Sequence, residues 1–308
     1  MTPVKIILGI LILLSSRFLV IFIKDYVRFY REGKLEKVNI IFTSILAFIV
    51  NFLDALGIGS YASSTAVFKF TGMVKDKQIP GTLNVATMMP VLFQALIFIT
   101  IIQVDIFTMI TIIVCTMIGS YIGASIVSKL PERKIQIGMG FGLFAVAITM
   151  VLQILNIMPP GGNVTYLSGI KLGIAWVGAF ILGITNCIGI GVYAPMMALL
   201  LSLGMSPIVI FPIMMGSCAF FQTICGTKFV QEGQYNRQVS MIYSTVGVVG
   251  VLVAAYIVKT LPVEILKKLV VAVVIYTSAN MFRSAFKSPK HEIEEIENVE
   301  PETTHVSR

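Results

Sequence analysis

Runs of Leu, Ile, Val, Met and Phe recur along the chain without the dyad alternation of a half-buried strand. Many approach the length of about 20 residues that a helix needs to cross a bilayer core. Spans or paired half-spans are predicted at 4–23, 39–57, 60–72, 82–102, 106–128, 135–157, 170–189, 192–204, 207–227, 240–258 and 265–285. Backbone groups in hydrocarbon must be satisfied within the protein, so only helices or closed barrels span, and continuous apolar runs select helices. The expected fold is an all-α polytopic membrane protein. Pro131, the run Pro159-Pro160-Gly161-Gly162 and Pro262 supply turn chemistry between predicted spans.

The polar positions divide this pattern. Lys24, Arg28, Arg31, Lys34 and Lys37 form the strongest basic loop; Lys69, Lys75 and Lys77 form a second, and Lys129, Arg133 and Lys134 a third. The segment 157–169 carries no charge. Placing the basic loops inside puts the amino terminus outside and the carboxyl terminus in the cytoplasm of a multi-pass plasma-membrane protein. Lys259, Lys267 and Lys268 then fall outside, which fits the rule poorly. Residues 1–38 form an anchor helix and basic cytoplasmic loop, 39–157 a first transmembrane unit, and 158–169 an extracellular linker. Residues 170–286 form a second unit, and 287–308 a disordered acidic tail with six glutamates. The first run is long for a signal peptide and contains Arg17, so it is expected to be retained.

Composition agrees: 56% of the 308 residues are hydrophobic and 12% charged, against about a quarter charged in soluble domains. Cys115, Cys187, Cys218 and Cys225 lie in apolar segments without CxxC spacing, so neither a disulfide nor a metal site is predicted. No cofactor is expected. The two histidines, His291 and His305, lie in the tail, and no Walker or dinucleotide glycine signature occurs. An enzyme, direct ATP coupling and a nucleic-acid partner are therefore not indicated.

A shift of 132 residues lays Asp54-Ala-Leu-Gly-Ile-Gly-Ser-Tyr-Ala on Asn186-Cys-Ile-Gly-Ile-Gly-Val-Tyr-Ala. The same register matches Gly72-Met73 to Gly204-Met205 and Pro80 to Pro212; a shift of 131 matches Leu130-Pro131 to Leu261-Pro262. Each unit is expected to contain a helical pair broken at Gly-Ile-Gly, then three spans. An odd number of crossings makes the second unit an inverted copy of the first, the plan of many secondary transporters.

Half-helices are predicted to restart near Ser60 and Val192, their first amides free and aimed into the breaks. Such termini suit an anion. Candidate binding residues are Gly57, Gly59, Ser60, Tyr61, Ser63, Thr65 and Asn84 in the first unit, with Asn186, Gly189, Gly191 and Tyr193 in the second. Ser64 adds another hydroxyl. Asp54 is the clearest intramembrane charge, and it either carries a proton or Na⁺ during transport or ties up amides freed at the break. Gln94, Gln103 and Gln222 read as hydrogen-bonding links between helices.

At Asp54–Ala62 and its echo at Asn186–Ala194 the chain resembles the TauE/SafE family of membrane permeases, a likeness extending over roughly 39–285. The resemblance implies export of small sulfur-containing oxyanions such as sulfite, sulfoacetate or other organosulfonates. The family's glycine-rich breaks fall on Gly57, Gly59, Gly189 and Gly191. This chain has Ser60 and Val192 after the second glycine and no Arg or Lys within the motif. The implied partners are a small anionic substrate and the lipid bilayer, with a homo-oligomer left open. A cation carrier or channel using Asp54 and unwound carbonyls remains the alternative.

Overall fold

The computed structural model describes residues 3–56, 59–101, 104–155, 157 and 162–257. Its regular elements are helices: α1 (Pro3–Arg31), α2 (Ile40–Ala55), α3 (Ser60–Thr71), α4 (Ile79–Ala86), α5 (Met88–Ile101), α6 (Ile106–Val127) and α7 (Glu132–Ile154). After the linker come α8 (Gly169–Asn186), α9 (Tyr193–Ser202), α10 (Pro207–Gln231), α11 (Arg237–Ile242) and α12 (Val248–Ile257). A 3₁₀ turn at Asp76–Gln78 precedes α4, and a π-helical turn at Tyr243–Gly247 joins α11 to α12. Six helical stretches among the described residues are long and apolar enough to cross a membrane. Gln103, the span predicted at 265–285 and the acidic tail lie outside the described residues.

Peripheral helices show how the bilayer acts as solvent. In α1, Leu11, Phe18 and Phe22 form a buried stripe, whereas Ile6, Leu13 and Val20 are exposed. A helix apolar on all sides but packed on one face has lipid for its other neighbour. α1 also runs eight residues past the predicted end at Ile23, as far as Arg31, which lets its basic end emerge from the hydrocarbon. The central helices are α4–α5 and α10, in which 72% and 83% of the respective spanning windows are buried.

The span predicted at 82–102 is bent. Pro90 lacks an N–H and its ring displaces the carbonyl four residues earlier, so α4 ends at Ala86 and α5 begins at Met88. The Ala86 carbonyl accepts from the Ser244 hydroxyl at 3.4 Å instead. Position 222, equivalent to Pro90 in the second unit, is a glutamine, and α10 continues through it.

Loop contacts sort the chain into two ends. At one end Arg237 pairs with Asp25 (2.8 Å) and Glu36 (3.4 Å) and stacks on Phe29. Burial, reinforced by the adjacent Asp25 carboxylate, raises the Tyr235 phenol above its ordinary range. Asn236 reaches Met73 and Thr82, and Asp76 holds both Lys69 and Gln136. At the other end the Leu167 amide donates to Thr108, Lys171 donates to the Leu203 carbonyl, and Ser206 N–H donates to Val164. The outer ends of α2 and α3 meet the first group; those of α8 and α9 meet the second.

Contacts in one half also recur in the other. Asp105 caps α6 through the Thr108 amide (2.8 Å), and Asn236 caps α11 through the Val239 amide (3.0 Å). α6 packs on α8 and α12 packs on α2. At the first contact a Cβ on Gly119 would lie 2.1 Å from the Phe180 carbonyl oxygen; at the second, one on Gly250 would lie 2.5 Å from that of Phe48. Phe48 and Phe180 stand 132 residues apart, Gly119 and Gly250 131. Gly183 abuts Thr116 as Gly247 abuts Asn51, so the small residue changes sides but the close approach is kept. The π turn ends at this Asn51 contact.

Gly119→Val is therefore expected to lower the thermal unfolding midpoint of the purified protein, with a cost of about 1–3 kcal/mol or more for overpacking. Gly173→Ala, where nothing lies within 4 Å of an added Cβ, is expected to leave it unchanged. Equal midpoints for the two variants would contradict the close α6–α8 contact.

Candidate functional site

Each half interrupts its first helix in the same place but finishes the break differently. α2 stops at Ala55, and the Leu56 amide turns back onto the Leu53 carbonyl. Gly59 (φ 83°) then leads into α3 at Ser60, a conformation that costs a residue with a Cβ. Gly57 lies outside the described residues. α8 stops at Asn186, and the amides of Cys187, Ile188 and Gly189 close tight turns onto Ile184, Thr185 and Asn186. Gly189 (φ 95°) precedes the restart at Tyr193.

The breaks meet. A Cβ on Gly191 would sit 3.3 Å from the Tyr61 Cβ. One cavity is lined by Asp54, Gly59, Ser60 and Tyr61 and by their four equivalents, Asn186, Gly191, Val192 and Tyr193. Val91, Met215, Cys218, Phe221 and Gln222 complete the wall. About 30 Å³ of it is open to water, above the ~10–15 Å³ that one water needs. A polyatomic anion requires the lining side chains to move apart.

Asp54 occupies the position expected for a bound anion. Its Oδ1 accepts from the Ser60 amide at 2.6 Å, and its Oδ2 accepts from Gln94 Nε2 at 2.9 Å. The free amide expected at the start of α3 is thus engaged by the protein's own carboxylate, which is 6% exposed. The equivalent Asn186 does not cap α9. Its Nδ2 donates to Asn84 Oδ1 (2.9 Å), which also accepts from the Tyr61 hydroxyl (3.1 Å). Gln222 Nε2 donates to the Tyr61 oxygen (3.1 Å), and Asn84 Nδ2 donates to the Pro80 carbonyl (2.9 Å). A buried network thereby ties α3, α4, α8 and α10 together.

Ser63 and Thr65 are not among the lining residues. Ser63 donates to the Gly59 carbonyl, and Thr65 is fully buried with its hydroxyl unpartnered among the described residues. Ser64 accepts from Tyr243. Asn84 stands behind the cavity, acting on it through Tyr61 and Asn186. Gln94 and Gln222 are the important residues that sequence reasoning passed over as general interhelical links. Cys187 and Cys225 are a second surprise, with sulfurs 2.9 Å apart directly behind the second break.

A family model described as sulfite exporter TauE/SafE matches residues 2–150 and 172–306, the internal gap at 151–171 spanning the linker between the halves. The chain belongs to the TauE/SafE family. It is accordingly a multi-pass membrane protein of a transporter family. No curated protein and no solved structure matched the chain. Among the described residues of this TauE/SafE protein, no Lys or Arg lines the cavity.

Tyr61→Phe removes the acceptor of Gln222 and a donor to Asn84. A loss of about 1–3 kcal/mol is expected, as for other buried polar groups left unpaired, and is checked by the thermal unfolding midpoint in detergent. An unchanged midpoint would contradict the network.

Proposed function

We propose that this TauE/SafE protein is a secondary transporter that exports a small sulfur-containing oxyanion, such as hydrogensulfite or an organosulfonate. It alternates access at the cavity between the two breaks, and Asp54 couples the cycle to protons. The observation that carries this reading is the convergence of four equivalent residue pairs on one buried cavity at the broken helices. A duplicated unit whose copies insert oppositely is the common architecture of such carriers. The two groups of loop contacts support that inversion, since α2–α3 and α8–α9 open towards different ends. The basic end, with Lys24, Arg28, Arg31, Lys69, Lys129 and Lys134, is assigned to the cytoplasm by the positive-inside rule. The amino terminus is then outside.

In this cycle the Ser60 N–H, once Asp54 releases it, and the Tyr193 hydroxyl are the donors for an oxyanion, helped by the positive end of the α3 dipole. Val192, Met215 and Phe221 form the apolar wall. The cation alternative is weaker on one observation. Both Asp54 oxygens already accept from N–H donors, Ser60 and Gln94, so the carboxylate is not presented as a ligand to a metal ion.

Purified protein in proteoliposomes is expected to move hydrogensulfite or a sulfonate, with the flux responding to an imposed pH gradient. If no sulfur oxyanion moves or competes, the proposal fails. Asp54→Asn is expected to abolish the response to pH while leaving anion binding measurable, because a neutral amide at this position does not repel an anion. Intact pH dependence in that variant would make Asp54 a purely structural cap.

A further inference from the structure

We infer that the Asp54 carboxylate and the transported anion are alternative occupants of one position, the Ser60 amide. The anion enters only when a proton neutralises Asp54, and the two cross together as a net-neutral load limited to singly charged anions. The inference rests on the transport reading above and adds stoichiometry and substrate charge to it.

Among the described residues, Asp54 is the cavity's one carboxylate, and no Lys or Arg lines it. The other ionisable lining groups are the Tyr61 and Tyr193 phenols and the Cys218 thiol, neutral near pH 7 by their ordinary ranges. Cations on the helices packed against Asp54's own are engaged elsewhere: Lys69 of α3 with Asp76, and Arg237 of α11 with Asp25 and Glu36. Tyr243, from the π turn, faces Ser64. An anion placed beside ionised Asp54 at about 4 Å would lose roughly three orders of magnitude in affinity at an effective dielectric of ~20. Protonation removes that repulsion and frees the Ser60 amide.

The side chain that would register the proton is in place. Gln94 is fully buried and gives Nε2 to the carboxylate, while its Oε1 has no partner among the described residues. Rotation of the amide presents Oε1 to the O–H of a protonated Asp54, turning an unpaired acceptor into a paired one. Gln222, also lining the cavity and buried, has a second unpartnered Oε1. Written as a balance, carboxylate, proton and monoanion become carboxylic acid plus bound monoanion. Release on the far side reverses each step. The cavity holds one negative charge both before and after loading. A dianion would leave it with two, and the cost of burying charge rises with its square.

The test uses wild-type protein in proteoliposomes with methanesulfonate, a monoanion throughout the working pH range, and sulfate as the dianion. Flux should follow the pH gradient with one proton moved per methanesulfonate, be the same at clamped potentials of zero and about −100 mV, and be absent for sulfate. Apparent Kd for methanesulfonate should rise about tenfold per pH unit on the alkaline limb, as one linked proton requires, and become independent of pH in Asp54→Asn. Methanesulfonate flux that changes with clamped potential, moves no proton, or is matched by sulfate would overturn the inference and leave anion transport standing. Failure of both hydrogensulfite and methanesulfonate to move would overturn the transport reading and this inference with it.

Discussion

A helix that stops at Ala55 and restarts at Ser60 leaves first-turn amides without carbonyl partners. At membrane depth an unpaired amide costs several kcal/mol, so the break persists only if something within the protein accepts from it. Asp54 does so six residues earlier in the chain, and Gln94 holds the carboxylate from its other oxygen. Burying a carboxylate is itself expensive unless it is well hydrogen-bonded. Break and charge therefore stabilise one another, and the cavity exists where they meet.

The second half reaches the same place by another route. Asn186 is neutral and spends its amide on Asn84, while the break beside it closes through backbone turns at Cys187, Ile188 and Gly189. Two broken helices thus converge with different chemistry: a charged, capped terminus on one side and an uncharged, network-bound terminus on the other. The rest of the fold holds that meeting point. Glycines 119 and 250 let α6 and α12 approach α8 and α2 backbone to backbone, and Arg237 fastens the end of α1 and its following loop to the start of α11.

Much of this was legible in the sequence because glycine, proline and charge are scarce in apolar helices and mark positions that packing alone does not. The repeat of Gly-Ile-Gly, the restarts near Ser60 and Val192 and the buried position of Asp54 came from those marks. Pro90 carried a readable signal for the α4–α5 bend that the long apolar run concealed. The partners of Gln94 and Gln222 were out of reach: Asp54 and Tyr61 lie 40 and 161 residues away, and periodicity does not say which neighbour a helical face meets. Ser63 and Thr65 are close to the break in sequence but do not line the cavity. The thiol pair Cys187–Cys225 shares no spacing that would betray it.

The central claim is that Asp54 holds the place of the anion at the start of α3. An experimental structure determined at acidic pH with hydrogensulfite or methanesulfonate bound tests it most directly. The account predicts density for the anion against the Ser60 amide, with the Asp54 side chain withdrawn towards Gln94. An anion bound elsewhere, with the Asp54–Ser60 hydrogen bond intact, would contradict it.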